Sequence, residues 1–259
     1  MEVNAVPRFD SKTVIVTGGA TGIGFSAANR FYREGANVVI CGRREPVLRE
    51  AAQKIAADPE RLLLVTADIA VEEDVKTLVA ETVAWTGRID VLVNNAAAMR
   101  INKPPEATTL AEWRSVIDTN VTGTFLCCRE AGKAMIAQRS GKIVNIASIS
   151  GYVVNKYFHG GSYEVSKAAM MMLTKTLASE WAQYNISVNA IAPGYYDTQP
   201  NRDFFAREPD LYQRVLDLIP QGRLGNLEEL SDLVLVLASD TASYMTGATI
   251  TIDGGYTLW

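Results

Sequence analysis

The chain has 259 residues, 48% of them hydrophobic and 21% charged, with a formal net charge of −4 at pH 7. That is the profile of an ordinary folded domain long enough to bury its own core, and it excludes a global basic field for nucleic acid or an anionic membrane. Three cysteines (Cys41, Cys127 and Cys128) form neither a disulfide framework nor a zinc pattern, and the single histidine, His159, leaves no material for a His-based triad or a multi-His metal site.

Residues 1–10 read as a loose leader without the apolar run of a signal peptide. No later stretch reaches bilayer-spanning length, so the free cysteines point to a reducing cytosol and a cytoplasmic location. From Lys12 onward, short β-branched runs alternate with amphipathic stretches. The predicted strands are 13–17, 37–41, 62–66, 91–95, 142–147, 187–192 and 248–253, apolar on both faces as in a sheet covered on both sides. The predicted helices are roughly 22–34, 44–57, 72–86, 109–138, 162–184 and 227–238. Strands separated by such helices imply βαβ units. The expectation is one α/β domain over 1–259, a Rossmann-type doubly wound seven-stranded parallel sheet with helices on both faces. Residues 195–226, with Pro200, Pro209 and Pro220, break the rhythm and read as a substrate-site insertion. Within it, 203–217 reads as one amphipathic lid helix or as plain core packing.

The first strand runs into Thr17-Gly18-Gly19-Ala20-Thr21-Gly22-Ile23-Gly24, followed by a helix. Glycines at 18, 22 and 24 permit a tight turn and let backbone N–H groups of Thr21, Gly22 and Ile23 approach a pyrophosphate at the helix N-terminus. At the end of the second strand, Gly42 stands where an acid would bind ribose hydroxyls, and Arg43 and Arg44 follow. A guanidinium can fork onto a 2′-phosphate that a carboxylate would repel, so NADP(H) is expected over NAD(H).

Asp68 follows the third strand, Asn94-Asn95-Ala96-Ala97 the fourth, and then come Asn120, Ser148, Tyr163-x-x-x-Lys167 and Pro193-Gly194 with Thr198. Together with the glycine loop, and in this order, they make the chain resemble the short-chain dehydrogenase/reductase family over residues 12–259. Ala97 stands where the family usually has glycine, and Thr21 where NADP-preferring members often carry a basic residue. The resemblance implies that Asp68 and Ile69 line an adenine pocket and that Asn94 and Ala96 flank the adenosine and ribose. It implies that Pro193, Gly194 and Thr198 hold the nicotinamide end. Asp68 also reads as a cap for the helix after it.

Tyr163 and Lys167, at i and i+4, share one helix face. Their free pKa values lie near 10 and 10.4, and a nearby ammonium favours the phenolate and lowers the tyrosine value. By the resemblance, Tyr163 exchanges a proton with the substrate oxygen while hydride moves to or from the carbon. Lys167 bonds the nicotinamide ribose, Ser148 polarises the carbonyl, and Asn120 holds a water that links Lys167 to solvent. Ser148 lies fifteen residues before Tyr163, two more than is usual, and Ser150 has the commoner spacing. Ser148 is preferred because it stands three before Gly151 in the string Asn145-Ile-Ala-Ser-Ile-Ser-Gly151. The added residues then fall in 155–161, a loop that borders the site and carries His159, which either touches substrate or is an exposed loop residue.

The stretches 191–198 and 219–225 and the ending Asp253-Gly-Gly-Tyr256 are similar to those of sugar-acid dehydrogenases of the gluconate 5-dehydrogenase and 2-deoxy-gluconate 3-dehydrogenase type. A small polar substrate is expected, with Arg100, Arg202 or Arg223 as partners for a carboxylate. The alternatives are a 3-oxoacyl-carrier-protein or small-ketone reductase, and a non-catalytic cofactor-binding protein. The resemblance further implies a homotetramer in which helices 109–138 and 162–184 pair across one axis. Ala168, Ala169, Ala178 and Ala182 suit either that contact or the sheet-facing side.

Overall fold

The computed structural model describes residues 8–55 and 58–259. Most of the expected leader, residues 1–7, lies outside the described residues. Its end is not loose: Phe9 is 2% exposed, meets Phe31 edge-on at 4.8 Å and donates its N–H to the Glu34 carbonyl.

Seven parallel strands form one sheet in the order β3-β2-β1-β4-β5-β6-β7. They are β1 (Thr13–Thr17), β2 (Asn37–Gly42), β3 (Leu62–Thr66), β4 (Val91–Asn94), β5 (Gly141–Ile146), β6 (Ile186–Pro193) and β7 (Thr249–Ile252). The helices are α1 (Gly22–Arg33), α2 (Glu45–Ile55), α3 (Glu72–Thr86), α4 (Leu110–Ile117), α5 (Thr124–Gln138), α6 (Ser162–Trp181), α7 (Gln199–Arg207), α8 (Pro209–Leu216) and α9 (Leu227–Ala238).

The strand period of two divides the core. Val14, Val16, Val38 and Ile40 pack beneath α1, α2 and α9 with Phe31, Leu48 and Val234. The intervening Ile15 and Val39 face α3, α5 and α6 with Leu78, Met135 and Leu177. Both faces are therefore buried, as the apolar runs require.

Two helices depart from their expected form. The stretch 109–138 is α4 and α5 joined by a π-helical segment, Asp118–Gly123. Residues 118–123 read Asp-Thr-Asn-Val-Thr-Gly, poor helix formers whose side chains bond elsewhere: the Thr119 hydroxyl donates to the Ser115 carbonyl at 3.0 Å and the Asn120 amide to the Ser166 hydroxyl at 3.0 Å. The single lid helix expected over 203–217 is two helices, α7 and α8, broken at Glu208 (φ −131°, ψ 62°). Pro209 causes the break, because its ring disfavours helical dihedrals in the preceding residue.

Candidate active site

The strand order reverses between β1 and β4, and above the carboxyl ends of these strands lies a cleft of about 930 Å³. Such a switch point is where open α/β sheets bind ligands. Its floor carries Ser148, Tyr163 and Lys167, its β1 side Gly18, Thr21, Gly22 and Ile23, and its far wall the 195–207 segment. Residues between 195 and 207 and the loop residues Asn155 and Phe158 border it.

Ser148 follows β5 and Tyr163 opens α6. Burial holds the Tyr163 pKa above its usual value, outweighing the Ser148 hydroxyl and the Arg100 charge, which favour the phenolate. Lys167, 2% exposed, donates to the Ile146 carbonyl at 2.8 Å and lies 5.6 Å from the Tyr163 ring centre. Burial lowers the Lys167 pKa to about 8. The expected lowering of Tyr163 by the lysine is thus corrected: desolvation dominates the phenol, and Arg100 is the cation that opposes it.

Asn120 is fully buried. Its Oδ1 accepts from the Ala98 N–H at 2.7 Å, and its Nδ2 donates to the Ala98 carbonyl at 3.1 Å and the Ser166 hydroxyl at 3.0 Å. With both donors engaged, the side chain clamps the loop after β4 onto α6. Asn94 departs from expectation. Its amide donates to Asn145 Oδ1 at 2.8 Å, beneath the floor, and Asn95 and Ala96 line the cleft in its place.

His159 is exposed and bonds through its backbone N–H to Asn102 Oδ1. The loop's contributions to the cleft are Asn155 and Phe158, which sequence reasoning passed over because neither belongs to a chemical motif. Arg100 lines the cleft, but its guanidinium is 2.5 Å from Glu164 Oε1. Arg202 and Arg223 are outside the cleft lining and pair with Asp197 at 3.0 Å and Glu229 at 2.7 Å.

A family model described as enoyl-(acyl carrier protein) reductase matches residues 18–257. The chain is 39% identical over 259 residues, all of both chains, to a galactitol 2-dehydrogenase (L-tagatose-forming) of Cereibacter sphaeroides. It is 39% identical over 250 residues to 3beta-hydroxysteroid dehydrogenase 1 of Eggerthella lenta, 96% of this chain and 94% of that one. A solved short-chain type dehydrogenase/reductase from Mycobacterium marinum superposes with a TM-score of 0.90 at 36% identity, covering 97% of this chain and 98% of its own. The chain belongs to the short-chain dehydrogenase/reductase family. It is an oxidoreductase of that family, acting on an alcohol–carbonyl pair with NAD(P)(H).

The residues present fit the dinucleotide of this family. Thr21 precedes α1 but makes no side-chain cap, so the first-turn N–H groups remain open to an anion. Gly22 has φ +54°, and a methyl group placed on it meets nothing nearer than Thr198 Cγ2 at 3.9 Å. It backs an open cradle. Gly24 plays a different part, since a methyl group there falls on the Gly18 carbonyl and the Asn95 amide; it packs α1 against the strand ends. Asp68 and Ile69, after β3, also line the cleft. Asp68 is not the helix cap, which is Val71; its Oδ1 instead accepts from the Ala70 N–H at 3.0 Å.

Proposed function

We propose that this dehydrogenase interconverts a neutral polyol or sugar and its keto form, with NADP(H) preferred, and that Ser148, Tyr163 and Lys167 handle the reacting oxygen and its proton. The bound nicotinamide supplies or accepts the hydride. Ser148 donates to the substrate oxygen, and Tyr163 gives or takes that oxygen's proton. Lys167 would hold the cofactor ribose through its ammonium. Asn120 holds the floor in place. Because burial keeps Tyr163 in its neutral phenol form, the resting protein is set to donate a proton in carbonyl reduction. Alcohol oxidation needs the phenolate, so its kcat/KM rises with pH.

The Arg100–Glu164 pair carries the substrate class. The cation beside Tyr163 is already neutralised, so a sugar-acid carboxylate would have to displace Glu164. Neutral hydroxyl groups fit better, with Phe158 and Phe204 offering faces for the carbon skeleton. Arg207, which also lines the cleft, donates its Nε–H to the Asp203 backbone carbonyl at 2.9 Å. The similarity to a galactitol 2-dehydrogenase agrees with this reading.

NADP(H) is favoured because Gly42, Arg43 and Arg44 line the adenosine end and the nearest carboxylate, Asp68, sits 3.9 Å from Arg43. A homotetramer is favoured by a stripe of apolar residues along α4 and α5 (Leu110, Trp113 and Phe125), and by Val165 and Met172 on α6, all exposed. Ala168 on α6 and Ala182 just past its end are exposed, and Ala178 packs on the sheet. A cytoplasmic location agrees with three free, buried thiols.

Nicotinamide turnover with polyols, hexonates, 3β-hydroxysteroids and β-ketoacyl thioesters, each with both cofactors, tests the proposal. Polyols with NADP should give the highest kcat/KM, and Tyr163→Phe should lose activity by about a thousandfold. A preference for hexonates or for NAD, or an active Tyr163→Phe, overturns the corresponding part.

A further inference from the structure

Ser150 and Asn155 lie outside the residues to which chemistry has been assigned, yet both are almost fully buried against the cleft floor. Asn155 Nδ2 donates to the Ser150 hydroxyl oxygen at 2.7 Å, and an Arg100 guanidinium N–H donates to the same oxygen at 3.1 Å. A hydroxyl has two acceptor positions and one proton, so both of Ser150's acceptor positions are filled. Its own proton must go to a further acceptor, and the Ser148 oxygen stands 3.1 Å away. By distance either hydroxyl of that pair can donate; the filled acceptor positions on Ser150 decide the direction.

The same count then applies to Ser148. Its oxygen accepts the Ser150 backbone N–H at 3.1 Å and the Ser150 hydroxyl proton. Both of its acceptor positions are full, which leaves its single proton to point at Tyr163 and the reacting oxygen.

We infer that Arg100, Asn155 and Ser150 form a positioning relay that makes Ser148 an obligate hydrogen-bond donor into the active site. Glu164 anchors the relay: its Oε1 meets the Arg100 guanidinium at 2.5 Å, and its Oε2 accepts the Gly161 N–H at 2.8 Å, at the start of the helix that bears Tyr163. Without the relay, Ser148 could as well accept a bond from a substrate alcohol, a geometry that polarises no carbonyl. Chains of this kind strengthen each member by polarisation.

The inference rests on the reading of Ser148 and Tyr163 given above, and a double-mutant cycle separates the two. Charged and titratable groups near Tyr163 are Arg100 after β4, Glu164 and Lys167 on α6, and Tyr195, which lines the same cleft after β6. Ser150→Ala, which preserves shape, is expected to lower kcat by about tenfold, the worth of one weakened hydrogen bond. Cofactor KM should not change, and the rise of alcohol-oxidation kcat/KM should move to higher pH. In a Ser148→Ala background the same substitution should have no further effect. Asn155→Asp turns a donor to Ser150 into an acceptor, draws its proton away from Ser148, and should lose at least as much kcat. It also serves as the test should Ser150→Ala fail to fold. If the effects of Ser148→Ala and Ser150→Ala multiply, or if Asn155→Asp keeps full kcat, the relay is wrong. If Ser148→Ala alone retains kcat, the underlying reading of Ser148 is what fails.

Discussion

Lys167 is 2% exposed and reaches a single polar partner, the Ile146 carbonyl at 2.8 Å. Burial lowers its pKa from 10.5 to about 8. Between those values the unfolded chain binds more protons than the folded one, so stability rises with pH across the window and is flat below about 8. The cofactor-free protein therefore carries a desolvation penalty at neutral pH. Lys167→Met should raise stability at pH 7 by on the order of 1–3 kcal/mol while removing activity. The gain should shrink as pH climbs from about 8 to 10.5, as followed by denaturant unfolding without cofactor. A pH-independent difference between the two proteins would refute the buried-charge account. This is the stability–function trade expected of a group kept for binding rather than folding. The Tyr163–Lys167 spacing was legible in the sequence as a shared helix face. The balance of burial against charge at the phenol was not, because desolvation depends on neighbours from β5, the loop after β4 and the 195–207 segment.

At the scale of elements, strands were read almost to the residue, since β-branched runs bounded by glycine and polar turns leave little choice of period. Three of them, β1, β3 and β6, illustrate the rule: β1 and β3 have the expected bounds, and β6 differs by one residue at each end. Helices were misread where a local conflict interrupted the period. Pro209 split the lid into α7 and α8, a break that the proline itself announced. The π-helical segment gave no such sign, because its carbonyl partners come from side chains and from contacts with the loop after β4. The glycine loop is the element most sensitive to substitution. Gly24→Ala forces α1 away from the Gly18 carbonyl and the Asn95 amide, an overpacking that costs about 1–3 kcal/mol. The expected result is a lower melting temperature together with a cofactor dissociation constant raised by roughly tenfold or more; unchanged cofactor binding in this variant would show that the loop tolerates the shift.

On the scale of the whole molecule, the exposed apolar residues of α4, α5 and α6 face away from the sheet that buries the rest of these helices. Contiguous exposed apolar surface of this kind marks an association face. Met172, 61% exposed, sits within it, so on the proposed homotetramer Met172→Arg should give a smaller species in light scattering while leaving the fold intact by circular dichroism. A mass unchanged from that of the parent protein would overturn this face as the proposed association surface. The sequence by itself determined the alternation of strands and helices, the glycine cradle, and the order of Ser148, Tyr163 and Lys167. Those features follow from local period, backbone freedom and residue chemistry, all carried by neighbouring positions. Only the tertiary structure decided that Arg100 is neutralised by Glu164, that Asn94 lies beneath the floor, that Asn120 clamps a loop onto α6, and that Asn155 and Arg100 both donate to the Ser150 oxygen. Each of these depends on which distant side chain occupies the last open hydrogen-bonding position, and that is set by packing across the sheet.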